Sequence, residues 1–390
     1  MLVLACFAAL VAGAGMMLAL AGWWEVARFG RVRHLVPATL PGITVLKPLY
    51  GDEPLLEAAL ASVCAQDYPH FQVVFGVQDP TDPALVVVAR LRARFPACEI
   101  AVVVDDTAQG ANRKIANLMN MLPAARHDVL VVADSDMHAA PNYLRRIAAA
   151  LDVPGAGLVT TLYTGLPADA SVAAGLGATG ITHLFLPGAM IARRLGRQDC
   201  LGATMALRRD TLERVGGFAA LVNHLADDHV LGRLVRDAGF SVGLAATIPA
   251  TTVPETTLDA LFRHELRWGR TIMALTPVPF ALSAIQYPLA WALLALLLSG
   301  GQTWALALVL AAWTCRAVVA RAIDAALGLM RHGVSAPVWL LPLRDLISVA
   351  VLLTSFAGRQ VEWRGHTMRV VDARRAGRTG YKLPSKASAT

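Results

Sequence analysis

Residues 2 to 24 carry no charged side chain, and an apolar run of that length is long enough to cross the hydrocarbon core of a bilayer as one helix. It exceeds the apolar part of a cleaved leader and has no basic stretch ahead of it, so residues 1–27 read as a retained transmembrane anchor. Arg28, Arg31 and Arg33 follow, with Trp23 and Trp24 at the boundary. Basic residues stay on the cytoplasmic side, which puts the N-terminus outside and the next domain in the cytoplasm.

Three more apolar segments, 280–299, 303–323 and 337–357, define a second hydrophobic region at 278–357. The chain is 56% hydrophobic and 16% charged, which fits a membrane protein with one large soluble part at 40–275. Residues 37–275 hold 20 Lys/Arg against 23 Asp/Glu, a net of −3, whereas the tail at 358–390 holds 8 against 2, a net of +6. The overall +7 therefore belongs to the flanks beside the membrane, and with no interleaved aromatics it predicts no nucleic-acid binding. Five cysteines without paired spacing point to a reducing compartment and away from a disulfide or zinc framework. Four full crossings would carry the basic tail outside, so one C-terminal segment is expected to be re-entrant or interfacial, leaving the tail cytoplasmic. Arg344-Asp345 falls inside the last segment and has to face protein or water.

From Ile43 onward, β-rich runs alternate with helical ones: 43–46 then 55–65, 72–77 then 84–95, 100–104 then 112–122, and 129–133 then 142–151. Four such units predict an α/β fold with a mostly parallel, doubly wound sheet. Beyond them 157–163 and 200–207 read as strands, 168–195 as a helical stretch of small residues, 226–237 as a helix opening on paired acids, and 257–271 as a basic amphipathic helix near the bilayer surface.

The fourth strand runs into Asp134-Ser135-Asp136. Open α/β sheets bind ligands outside the carboxyl ends of their strands. Two carboxylates there can hold Mg2+ or Mn2+, whose other ligands are phosphate oxygens; the plain alternative is an Asp-Ser turn. Asp79 and Asp82 follow the second strand, placed to accept from a uracil or ribose or to close an Asp-Pro turn. Lys114 starts a helix, either neutralising a phosphate or lying in solvent. Asp227 and Asp228 open another helix, where one serves as general base for an acceptor hydroxyl or both complement the helix dipole. His264 and Arg267 lie about one turn apart on one helix face with Trp268 beside them, suited to a diphosphate and sugar ring or to anchoring at the interface.

In unbroken order over residues 43–272, Lys47-Pro48-Leu49, Val77-Gln78-Asp79, Asp82-Pro83-Ala84, Asn112-Arg-Lys114, Asp134-Ser-Asp136, Gly202-Ala-Thr-Met205, Gly216-Gly217, Asp227-Asp228-His229 and His264-Glu-Leu-Arg267-Trp268 look like the ceramide-glucosyltransferase group of inverting GT-A glycosyltransferases. His183-Leu-Phe-Leu-Pro187, Gly196-Arg-Gln-Asp199 and Ala206-Leu-Arg-Arg209 make the chain more similar to the hopanoid-biosynthesis glycosyltransferases of that group.

The resemblance implies a Rossmann-like GT-A catalytic domain, anchored by transmembrane helices in a bacterial inner membrane. It implies a UDP-sugar donor near Lys47, Asp79, Asp82, Lys114 and Asp134, and a divalent cation on Asp136 with Asp134. Asp228 is then the base, and Arg267, Trp268 and His264 attend the departing UDP. His183 and Cys200 match an acceptor-side His and Cys of the ceramide enzymes, with Asp227 on the same side; a core histidine and a buried cysteine are the plain alternatives. The chain departs from the group at His264, where Gln or Arg is frequent, and at Asp227, where Glu is. The expected transfer is of N-acetylglucosamine to bacteriohopanetetrol, with UDP-glucose and ceramide or another lipid as the alternative, and no obligate protein partner is evident. A processive polysaccharide synthase shares the fold but needs more spans for a channel. A non-catalytic scaffold would tolerate Asp136→Ala and Asp228→Ala.

Overall fold

A computed structural model of the chain describes residues 1–31, 37, 39–329, 337–358, 360–363 and 366–369; most of the basic tail lies outside them. The N-terminal apolar run is one helix, α1 (Leu2–Phe29). Strands buried on both faces need apolar residues at almost every position, and β1 (Ile43–Pro48), β2 (Phe71–Val77) and β4 (Val129–Ala133) have them. Crossovers through α2 (Leu56–Cys64), α3 (Ala84–Arg94) and α4 (Arg113–Met121) connect these strands with β3 (Glu99–Val104) at the edge. β1 pairs in parallel with β2 and β4, and β2 with β3. The chain thus winds outward from β1 and then returns to its other side, which opens a crevice beyond the ends of β1 and β4.

The chain continues through β5 (Met137–His138), α5 (Tyr143–Leu151), β6 (Ala156–Thr160), β7 (Thr164–Pro167), α6 (Val172–Gly180) and α7 (Leu186–Arg194). Then come β8 (Thr204–Arg208), α8 (Arg209–Arg214), α9 (Asp227–Asp237), β9 (Ser241–Leu244), β10 (Ala250–Val253) and α10 (Leu258–Leu275). The main sheet has the order β3-β2-β1-β4-β8-β6-β9, with β8 antiparallel to both neighbours and every other pair parallel. A second sheet, β5-β10-β7, begins directly after Asp136. Side chains alternate across the main sheet: Val45, Val73 and Val131 face Leu60, Leu91 and Ile147, while Leu46, Val74 and Val132 face Ile115, Leu118 and Leu231. The run at 157–163 is strand only as far as Thr160, within β6, and β7 of the second sheet starts just past it at Thr164; the helical stretch at 168–195 is α6 and α7 joined by a π-helical turn at Ile181–Phe185.

The hydrophobic region holds α11 (Pro277–Leu282), α12 (Pro288–Leu298), α13 (Thr303–Leu327) and α14 (Leu341–Ser355). Among the described residues four helical stretches are long and apolar enough to cross a bilayer: Leu2–Phe29, Val172–Arg194, Thr303–Leu327 and Val338–Ser355; the second is 67% buried inside the protein. The segment expected as one span at 280–299 is instead broken and bent by 70° at Pro288, which lacks the N–H to continue a helix. α12 runs against α1, with Pro288 beside Gly15 and Trp291 edge-on to Phe7. α13 runs along α1 in the same sense, from Ala312 beside Ala12 to Ala326 beside Gly30. α14 does not start at the end of α13: Trp313 donates to the Val338 carbonyl at 2.7 Å, and Leu341 packs with Ala12 and Ala312. It ends beside α10, where Ser355 leaves no room for a side chain at Gly269.

Candidate active site

The turn after β4 is held from below. Lys47, at the end of β1 and fully buried, donates from Nζ to the carbonyls of Asp134 (2.6 Å) and Met137 (3.5 Å). Burial lowers its pKa to about 8, and the opposing fields of Asp136, Asp134 and Glu53 limit that fall. Lys47 therefore fixes the backbone of the Asp-Ser-Asp turn from inside the sheet, beneath the crevice in which a donor would lie. Ser135 donates to Glu53, a residue of the β1–α2 loop that sequence reading passed over because nothing in its spacing marks it.

The two acids of the turn differ in their partners. Asp134 pairs with Lys114 Nζ at 2.6 Å, while Asp136 accepts from Thr251 Oγ1 of β10 at 2.6 Å. Burial, then the charge of Asp134, raises the Asp136 carboxyl to about 6. Lys114 sits at the start of α4, which Asn112 caps by accepting from the Ile115 N–H at 3.1 Å. The Asn112 amide also reaches the His224 carbonyl (2.8 Å) and Asp227 (3.3 Å), tying α4 to α9. Lys114 Nζ lies 4.0 Å from Asp227 and 3.4 Å from the Gly202 carbonyl. Burial alone would lower its pKa, but Asp134 and Asp227 outweigh burial and hold it above its ordinary value.

Asp227 and Asp228 open α9, and both are raised by burial. Asp227 is offset by Lys114; Asp228, pushed further by its neighbour, reaches about 6. Asp228 Oδ1 accepts the His229 N–H at 2.7 Å, and its Oδ2 lies where a Cβ on Gly202 would come within 3.0 Å. Glycine at 202 thus keeps the space above this carboxylate open. The Tyr163 phenol is pushed up by burial and then by Asp228, Asp134 and Asp136, which places it in the field of all three acids. As a single tyrosine between two strands, it carried no motif to find it by.

The remaining sequence-predicted residues have partners of their own. Asp82 is buried and closes a turn, accepting from the Gly51 N–H with both oxygens (3.1 and 3.0 Å) and from the Ala84 N–H at 2.9 Å. Asp79 is solvent-exposed and accepts from Thr81, which lowers its pKa. His264 pairs with Glu255 and packs edge-on against Trp268, centroids 4.4 Å apart. β10 links this patch to the acids, since Thr251 binds Asp136 and Glu255, just past the strand, binds His264. Arg267 lies on the same helix, α10. His183 turns to the membrane helices instead: its Nε2 meets Asp324 at 2.7 Å, and its carbonyl accepts from Arg316 at 3.1 Å. Cys200 is buried against Gly232, its thiol raised by burial and then by Asp228 and Asp227.

Among the described residues no three His, Cys, Asp or Glu side chains converge to hold a metal unaided. Two carboxylates at a strand end nonetheless fit Mg2+ or Mn2+, which complete their shells with water and phosphate oxygens, and fit zinc poorly.

A mostly parallel sheet with one antiparallel strand, and a small second sheet springing from an acidic turn, is the GT-A glycosyltransferase fold. The chain belongs to glycosyl transferase family 21, whose model matches residues 4–376. It is 29% identical over 143 residues to a ceramide glucosyltransferase of Komagataella phaffii, covering 35% of this chain and 28% of that one. It is 23% identical over 260 residues to ceramide glucosyltransferase 1 of Caenorhabditis elegans, covering 66% of this chain and 55% of that one, so the match spans about half of that relative's length or less. Among solved structures it is similar to a mannosyltransferase from Pyrobaculum calidifontis in complex with GDP-Man and Mn2+, with 18% identity, 90% of this chain and 99% of that chain covered, and a TM-score of 0.49.

Proposed function

We propose that this protein transfers a sugar from a UDP-sugar to a hydroxyl of a membrane lipid in one displacement, inverting the configuration at the sugar carbon. The observation that carries the reading is Asp228: a carboxylate raised to about 6, linked through Asp227 and Lys114 to the Asp134–Asp136 turn, with Gly202 leaving space above it. At neutral pH such a group is ionised yet more basic than an ordinary carboxylate, which suits it to take the proton of an attacking hydroxyl. Asp136 with Asp134 would hold a divalent cation, which when bound supplies charge neutralisation for the diphosphate. Lys114 adds a fixed positive charge beside the same turn. Asp79 would meet the nucleoside, and Arg267 with Trp268, on α10, would steady the departing UDP.

The apolar helices and the ceramide glucosyltransferase relatives support a lipid acceptor reached from the bilayer. Within that class we favour N-acetylglucosamine as the sugar and bacteriohopanetetrol as the lipid, in a bacterial inner membrane with the sheet domain cytoplasmic. UDP-glucose with ceramide is the alternative. The test is UDP release by purified protein with Mg2+ or Mn2+, screened across UDP-sugars and lipid polyols. Lipid-dependent release with one sugar per acceptor is expected; no release from any pair would overturn the reading, and a polymeric product would assign a synthase instead.

A further inference from the structure

Away from the acid cluster, the domain-proximal ends of α1 and α7 flank an open cavity of about 280 Å3 lined by Glu25, Arg28, Phe29, Met190, Arg193 and Arg194. Its position follows from helix geometry. At Gly22 the two helices touch so closely that a Cβ there would come within 2.7 Å of Pro187. Glu25 and Phe29, three and seven residues further on, keep to the same face of α1, as Met190 and Arg194 do on α7. Below the contact, therefore, the helices face each other across a gap with an apolar floor, Phe29 and Met190, and an arginine rim.

The rim carries three guanidinium groups against one carboxylate. Arg193 holds the Val242 carbonyl at 2.6 Å, and Arg194 lies 3.8 Å from Glu25 in a long pair. Among the described residues the Arg28 guanidinium has no ion pair or hydrogen bond, and it is exposed. Depth supplies the second constraint. The cavity begins at Glu25, the first charged residue after the uncharged run at 2–24 and next to Trp23 and Trp24, the level at which lipid headgroups lie. A planar guanidinium matches phosphate oxygens two at a time, and an apolar floor suits the glycerol and first methylenes of a lipid.

We propose that this cavity is a binding site for the headgroup of an anionic phospholipid, with Arg28 and Arg194 gripping the phosphodiester. The site is separate from the acids of the sugar-transfer reading and stands or falls without it, because its readout is lipid retention.

The experiment uses the full chain purified from bilayers of phosphatidylcholine and phosphatidylglycerol, with retained lipid counted by native mass spectrometry. Retention enriched in phosphatidylglycerol is expected, falling about fivefold for each arginine removed in Arg28→Gln and Arg194→Gln, the weight of one juxtamembrane basic residue. Arg92→Gln with Arg94→Gln, two exposed arginines of α3, leaves retention unchanged. Equal retention in wild type and the Arg28/Arg194 variants, or an equal loss in the α3 control, would overturn the proposal. So would displacement of the lipid by millimolar inorganic phosphate, which would assign the cavity to a soluble anion.

Discussion

Arg344, within the last apolar helix, does not pair with its neighbour Asp345: its two terminal nitrogens meet the two carboxylate oxygens of Glu265 at 2.7 and 2.6 Å. Glu265 stands on α10 between His264 and Arg267, so the pair ties a membrane helix to the helix bearing the proposed leaving-group residues. Asp345 reaches Arg316 at 3.1 Å and the Leu289 N–H at 3.2 Å, joining α14 to α13 and α12. Deleting one partner of a buried pair strands the other, which costs about 3–5 kcal/mol, whereas replacing both with apolar groups is often near neutral. Arg344→Met is therefore expected to lower the unfolding temperature in detergent clearly, and Glu265→Leu added to it to restore most of the loss. A double variant no more stable than the single one would mean the pair is not the tie described.

Asp228→Asn removes the proposed base while keeping its shape and hydrogen-bonding oxygen. Turnover is expected to fall about 10²–10⁴-fold, with little change in the KM for the UDP-sugar. The wild-type carboxyl, raised to about 6, is protonated below that pH and cannot accept a proton. The activity profile should accordingly fall about tenfold per pH unit under pH 6 and flatten above it. An acid limb near pH 4 would show that Asp228 does not titrate in the rate-limiting step.

Gly202→Ala tests the space above Asp228 without altering any charge. Its Cβ would lie 3.0 Å from Oδ2 and 3.3 Å from the Asp228 Cβ, tight enough to displace the carboxylate by a few tenths of an ångström. Misplacement of a catalytic group on that scale costs roughly tenfold or more in turnover. Loss of activity at an unchanged unfolding temperature is expected; full activity would exclude a tight requirement at this position.

The sheet was legible because its strands are short apolar runs set between helical ones, a pattern that burial on both faces imposes, and 129–133 matches β4 to the residue. The residues around Asp134 were harder. Lys47 and Lys114 both read as donor contacts, yet one faces backbone carbonyls and the other two carboxylates, because side-chain direction depends on register rather than residue type. Glu53, Thr251 and Glu255 went unread since each reaches its partner across a fold contact with no local signature. Composition identified the membrane helices, but the 70° break at Pro288 and the mid-depth start of α14 come from packing against α1 and α13, which hydropathy does not encode.

That packing bears on which side the basic tail lies. If α1 crosses outward to inward, α12 runs back from mid-depth to the outer side, and α13 crosses inward again beside α1. α14 begins level with Trp313, about 15 Å along α13, and ends at α10 on the domain side. α13 and α14 therefore end on the same side, so we propose that the tail, with its net +6, remains on the side of the sheet domain, in keeping with the retention of basic residues in the cytoplasm. With Cys6 replaced by serine, Ser388→Cys is expected to react with a membrane-impermeant maleimide only after the cells are permeabilised. Labelling in intact cells would mean that α14 crosses fully and that its start beside Trp313 is not its membrane position.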